Sequence, residues 1–490
     1  MSDLSAVREV WASRSTARSR TDLLYLVYVA ALSVLVLGVP ALNSAGQLLS
    51  RPDVLPVLGA SRAPQVVAAA TLAAGALAVL VGAVRGPALM APFFVTTLAS
   101  SGLRRRDVLR RPFARALLVP VFGLMVLAAL VGSTLLFDGR AEVSAAVLFT
   151  VAAGGAGLLI GAAWLVGQLL RPVRARLLCT GMLLTAAAAA AAAPVGVGLG
   201  GAYPVGAASP LPWALGLVGG GLLTTVGSVG LLGRLRGVVL REQAARWESA
   251  GTLATTGDLA GASGEFRAPP STGRRLPAIG RRPLVLLYAR RDAVAWLRSP
   301  ERLTTGVLAG LASAALLATS TQLSGPLAWV CVLVGSAVLW GASSALVDGI
   351  RHGIHTLGAP ALLGQTAGLQ VLLHTPAPAA LLGVVAAVGS GAGLLLAGEV
   401  AEPGAALLPA LLAVVLVAAR ARDAAKGPMP LSLMTPMPTP QGDLSVIPVL
   451  LWQADGLLLA LLAGAALALL LPLGTGAMLL GAGALLGAWR

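Results

Sequence analysis

Apolar runs of about 20 residues, almost free of charge, recur from near one end of the chain to the other, and a run of that length and composition fits one structure, a helix crossing the hydrocarbon core of a bilayer. Only a helix or a closed barrel satisfies every backbone amide and carbonyl away from water, and runs this continuous lack the alternation of barrel strands. With 57% hydrophobic and 11% charged residues and a mean hydropathy of +0.87, the chain carries less than half of the ~25% charged residues of a soluble domain. The expected fold class is therefore all-α, a polytopic membrane protein. The runs fall at residues 23–42, 64–84, 116–137, 143–169, 177–197 and 211–232, and again at 303–321, 326–347, 377–396, 405–419, 449–471 and 473–489, which predicts about twelve spans.

The formal charge of +16 would point to nucleic acid in a soluble protein. Here the arginines, with Lys426 the only lysine, stand in short clusters beside the apolar runs, where the positive-inside rule explains them without a nucleic-acid partner. With twelve spans, only Arg51, Arg62 and Arg140 face outward, so both termini are expected in the cytoplasm of a cell-membrane protein. The first apolar run is too long for the core of a cleaved signal peptide. Cys179 and Cys331 lie within spans without CxxC spacing, so neither a disulfide framework nor a metal site is expected.

Residues 233–302 divide the chain into a first half, 1–232, and a second half, 303–490. This connection is charged at both ends and rich in Gly, Ser, Thr and Pro in the middle, a composition with too little apolar content to pack by itself. The halves are alike in sequence. Trp11-Ala-Ser-Arg14-Ser15 is matched by Trp296-Leu-Arg298-Ser299, Arg85-Gly-Pro by Arg351-His-Gly, and Arg111-Pro112 by Thr375-Pro376, in the same order and at an offset of roughly 265–285 residues. A parallel duplication of six spans is the expected origin.

No GxxxxGK[ST] phosphate cradle is present, since the one lysine is followed by Gly427 and Pro428, and there is no HExxH or GxSxG. The chain is not expected to be an enzyme or to hold a cofactor, and any ATP that drives it is hydrolysed elsewhere. The spans are almost uncharged, which points to an apolar or amphiphilic substrate. Gln453 and Asp455, about one turn inside the eleventh span, are the candidate intramembrane polar residues, read either as helix-start groups at the interface or as functional ones. His352 and His355 share a helix face at i and i+3 but lack a carboxylate partner for a metal. Gly216 and Gly220 stand in GxxxG spacing, a possible close-packing motif of the sixth span.

The densest basic cluster, Arg104, Arg105, Arg106, Asp107, Arg110, Arg111 and Arg115, is expected as a cytoplasmic loop between the second and third spans. It reads as a topology anchor, as a docking surface for an acidic partner, or as a loose likeness of the basic loop of the major facilitator superfamily, without that family's Asp-Arg-x-Gly-Arg order.

Taken together, the segments resemble the membrane subunits of type-2 ATP-binding-cassette exporters, and more closely an actinobacterial group of fused, two-halved permeases. The likeness rests on an interfacial helix before each half, residues 6–20 and 284–302, on Leu98-Ala-Ser-Ser-Gly-Leu-Arg-Arg-Arg-Asp-Val-Leu109 after the second span, and on six-span halves with small outer loops. It implies a permease energised by a separate P-loop ATPase, in two copies, with Arg104, Arg105, Arg106, Asp107, Arg110 and Arg111 as the coupling surface. In the second half the matching segment, Gly364-Gln-Thr-Ala-Gly-Leu-Gln-Val-Leu-Leu373, has no arginines, which implies unequal docking of the two copies. A twelve-span secondary transporter and a non-transporting membrane scaffold are the alternatives.

Overall fold

The computed structural model describes residues 20–99, 103–191, 197–206, 209–255, 259–266, 272–273, 275–278, 283–355, 365–397, 403–426, 429–435, 437–439 and 442–488. The N-terminal interfacial helix expected at 6–20 lies outside these residues, apart from Arg20. The protein is an all-α polytopic membrane protein. Its only strands among the described residues are a two-residue antiparallel ladder, Pro438–Thr439 against Gly442–Asp443. The chain forms two compact units, Met1–Phe266 and Arg267–Arg490.

The first unit contains α1 (Arg20–Ser33), α2 (Val39–Leu49), α3 (Ala63–Val84), α4 (Arg105–Phe137), α5 (Val143–Leu169), α6 (Pro172–Ala191), α7 (Pro210–Leu231) and α8 (Gly237–Thr255). A π-helical turn, Val34–Gly38, joins α1 to α2, so the first span is one longer rod than expected. The second unit contains α9 (Leu284–Arg298), α10 (Pro300–Ser320), α11 (Gly325–Ser343), α12 (Asp348–His355), α13 (Ala367–His374), α14 (Pro376–Ala397), α15 (Pro403–Ala425), α16 (Val446–Leu470) and α17 (Thr475–Ala488). Prolines open many of these helices, where a missing N–H is not needed.

Ten described helices are long and apolar enough to cross a membrane, not twelve. The two shortfalls have separate causes. Arg174 and Arg176 occupy the first turns of α6, whose predicted continuation at 192–196 is outside the described residues. α17, of 14 residues, rises only about 21 Å against a hydrocarbon core of about 30 Å.

Three further expectations are corrected. The basic cluster is not a loop: from Arg105 onward it forms the first turns of α4, and Pro112 and Pro120 are accommodated within the same helix. The start of the connection is not free either, because α8 docks on the first unit through buried Leu240, Gln243, Ala244 and Ala250. Likewise the span predicted to end at residue 419 runs on, with Arg420, Arg422 and Asp423 in the last turns of α15.

Packing follows the small residues. In α5, Gly155, Gly157 and Gly167 let the backbones of α7, α4 and α3 approach so closely that a Cβ at Gly155 would lie 2.5 Å from the Leu217 carbonyl carbon, and one at Gly157 would lie 2.6 Å from Val121 Cα. A Cβ at Gly167 would overlap the Val79 carbonyl oxygen. Gly216 and Gly220, the GxxxG pair, face open space, and the close approach on α7 is made by Gly221 instead.

Numbering each unit's spans from one to six, with α1–α2 and α10 as the first, five pairings occur in both. The first packs on the third, the second on the fourth and fifth, the third on the fourth, and the fourth on the sixth. In the second unit the first span also packs against the second and fourth.

Replacing Gly167 by Ala is expected to destabilise the protein by about 1–3 kcal/mol, the cost of overpacking a rigid contact. Gly216→Ala, with room for the methyl, is expected to leave thermal melting in detergent unchanged. Equal melting of the two variants would contradict this packing scheme.

Candidate functional site

The basic turns of α4 divide into two faces. Leu109, Phe113 and Leu117 are buried in a cluster with Leu232, Leu235 and Leu240, and Arg105 donates from Nη1 to the Leu235 carbonyl at 2.8 Å. Arg104, Arg106, Arg110, Arg111 and Arg115 are exposed, and Arg106 lies 3.7 Å from the Asp107 carboxylate. A helix N-terminus already carries partial positive charge, so a cluster of arginines there is locally unfavourable and is not explained by helix stability.

Immediately beside this region the first unit is tied together by neutral polar groups. Gln168, at the end of α5, donates to the Gln243 side chain of α8 at 2.9 Å, and Gln243 in turn donates to the carbonyls of Gly82 and Ala83 at the end of α3, at 3.3 and 3.1 Å. Both glutamines are buried. Trp164 Nε1 donates to the Arg85 carbonyl at 2.6 Å. These bonds satisfy carbonyls that a helix end leaves without partners. Next to them, Trp247 Nε1 is buried with no acceptor among the described residues, which costs about 1–3 kcal/mol.

The second unit makes the equivalent tie with charge. Arg420, buried near the end of α15, donates from Nε to Ser343 Oγ at 3.0 Å and from Nη2 to the Trp340 carbonyl at the end of α11, and its guanidinium stacks on the Trp340 ring. Cation–π contact of this kind lowers the cost of burying an arginine. Arg302 forms a bidentate pair with Asp348 and donates to the Ser344 carbonyl at 2.9 Å, while Arg351 stands 3.6 Å from the same carboxylate.

Asp455 is not at a helix start. It lies nine residues into α16 and is held by Lys426 and by Arg422, the latter at 3.1 Å. Lys426 also donates to the Trp452 carbonyl and sits over the Trp452 ring. Gln453, its predicted companion, is half-buried. The structure thus brings Asp455 together with the basic end of α15.

One pair in the second unit is absent from the sequence reading. Asp292, on α9, and His374, the last residue of α13, are 2% and 1% exposed, and His374 Nδ1 lies 2.8 and 2.9 Å from the two carboxylate oxygens. Tyr288, one turn before Asp292, packs edge-on against the imidazole and bonds Gln365 at 2.5 Å. Gly349 of α12 closes the site, since a Cβ there would lie 2.6 Å from Nδ1. Trp296 of α9 adds a bond to the Leu346 carbonyl at 2.9 Å. The available sequence signal was the i, i+4 spacing of Tyr288 and Asp292 on the face of an amphipathic helix. Burial pushes the Asp292 carboxyl above the usual carboxylate range, with the His374 hydrogen bond, the His374 charge and the Arg291 charge opposing it.

His352 lies on α12 as expected, and the side chain of His355 is outside the described residues. No group of three or more His, Cys, Asp or Glu side chains able to hold a metal ion occurs among the described residues. The first unit also holds a partly open apolar cavity of about 250 Å³ among α3, α5, α6 and α7, lined by Ala68, Gly75, Ile160, Met182 and Leu217. No protein-family profile, curated protein or solved structure matches the chain.

His374→Ala is expected to destabilise the protein by about 3–5 kcal/mol at neutral pH, because it leaves Asp292 buried without its partner. The loss should shrink on acidification. In the variant the fold holds a proton on Asp292 more tightly than the unfolded chain does, so that contribution is present below the usual aspartate range and lost as pH rises through the raised value. Melting temperatures of the variant over about pH 4 to 8 measure this. A variant that melts like the parent throughout would remove the pair as a structural tie.

Proposed function

We propose that the chain is the permease subunit of an ATP-driven exporter of the type-2 ATP-binding-cassette class, a duplicated polypeptide energised by a separate ATPase and seated in the cell membrane with both termini in the cytoplasm. The observation that carries the proposal is the continuity of α4. Its 33 residues extend about 50 Å, against a hydrocarbon core of about 30 Å, so a rod that crosses the membrane also projects its exposed arginines beyond it. A push on that basic end is transmitted into the span, because no loop intervenes to absorb it.

Four further observations support the reading. The five span pairings common to both units fit a parallel duplication. The cytoplasmic helix α9 is latched to α12 and α13 through Asp292, His374 and Trp296, which gives the second unit a rigid element against which a partner can act. The chain lacks a phosphate cradle of its own. The apolar cavity in the first unit suits the acyl part of an amphiphilic substrate.

A secondary transporter is the second reading, favoured by the buried Arg420 and by the Lys426–Asp455 pair at a span end, where ionisable groups are otherwise costly. Transport in proteoliposomes that follows an ion gradient without ATP would select it.

For the exporter, purification in mild detergent is expected to bring down a P-loop ATPase. Arg105 is spared in the test because it bonds Leu235. Replacing Arg104, Arg106 and Arg110 together with Gln should preserve insertion and melting and weaken ATPase association by roughly 10-fold or more at low salt. The difference from the parent narrows as salt screens the exposed charges. Association that is the same in parent and variant across a salt series would take the coupling role away from this face.

A further inference from the structure

On the first unit, between the segment that follows α3 and the docked helix α8, lies an open pocket of about 400 Å³. Its walls include Arg85, Leu89, Met90, Pro92, Trp247 and Glu248. Two charged groups of the wall point to a ligand. The Arg85 guanidinium stands over the Trp247 ring, 4.7 Å from its centroid, and has no carboxylate partner among the described residues. The Glu248 carboxylate likewise has no cationic partner among them.

A ligand that answers both brings an acceptor-rich anion for Arg85 and a hydrogen-bonding cation for Glu248. Leu89, Met90 and Pro92 ask in addition for an apolar continuation. The pocket begins at the residue after α3, and the next residues, Phe93 and Phe94, are 54% and 37% exposed, an arrangement of arginine and aromatics suited to the headgroup level of a bilayer.

We propose that this pocket binds the headgroup of a phosphatidylethanolamine, with the phosphate on Arg85 and the ammonium on Glu248. Phosphatidylcholine presents a quaternary ammonium with no N–H to donate to Glu248, and phosphatidylglycerol has no cation to place there. The inference does not depend on what energises the protein, and it gives Arg85 and Glu248 a common purpose.

The test uses the full chain, purified in detergent and delipidated, with synthetic phosphatidylethanolamine, phosphatidylcholine and phosphatidylglycerol added separately and adducts followed by native mass spectrometry. The parent should hold phosphatidylethanolamine roughly 10-fold more tightly than the other two, the scale of one charge-assisted hydrogen bond. R85Q should weaken it by about the same factor, with R85K retaining most of the binding. E248Q should abolish the preference over phosphatidylcholine.

Melting of each variant in the same detergent confirms folding. Should one fail to fold, a photoreactive phosphatidylethanolamine applied to the parent must label residues 85–92 or 237–255. Identical adduct patterns for the parent, R85Q and E248Q, or labelling confined to other segments, overturn the proposal. Displacement of the lipid by chain-free glycerophosphoethanolamine at equal concentration would assign the pocket to a soluble zwitterion and overturn the membrane-lipid source.

Discussion

A helix that ends at the edge of a bilayer leaves its last carbonyls without partners, in a region where water is scarce and an unpaired polar group is expensive. Both units meet this constraint at the same place, where the second span ends beside the fourth. In the first unit the carbonyls of Gly82 and Ala83 are taken by Gln243, itself bonded to Gln168 of α5. In the second unit the Trp340 carbonyl is taken by Arg420 of α15. The tie fixes the second span against the fourth, on which the third and sixth also pack. Small residues then decide how closely those spans approach, as at Gly155, Gly157 and Gly167.

The two ties differ in chemistry, and the difference extends to their surroundings. A Gln–Gln tie is neutral and needs only hydrogen bonds. An arginine at the same place has to be compensated, and the second unit supplies the Trp340 ring, Ser343 and Asp423 around it, then a further layer in which Arg302, Arg351 and Asp348 form one group and Arg422, Lys426 and Asp455 another. The first unit instead keeps its charge on the outside, on the exposed face of α4. Under the proposed function this division implies unequal roles: the first unit offers a surface for a partner, and the second unit pairs much of its charge and ties down α9 through Asp292 and His374.

The all-helical class and most span positions were legible in the sequence, because 20-residue apolar runs admit few other structures; α3 and α5 begin and end within one residue of the runs that predicted them. Helix ends were less legible. The sequence criterion stops a span at the first cluster of charge, whereas α4 and α15 run through theirs, the one with its arginines mostly exposed and the other with Arg420 stacked on Trp340. Gly216 and Gly220 illustrate the same limit for packing, since spacing identifies a face without saying what it meets. The Asp292–His374 pair was hidden because its members are 82 residues apart, and only the folding of α9 over α12 and α13 joins them.

The central claim is that the exposed basic end of α4 receives an ATPase. A photo-crosslinking amino acid placed at position 110, which is exposed on that face, tests it in intact membranes without detergent and without altering the remaining arginines. The account predicts a covalent product containing a P-loop ATPase, whose yield changes when ATP hydrolysis is blocked. Crosslinks to lipid or to unrelated proteins alone, in membranes where the chain is correctly inserted, would contradict it.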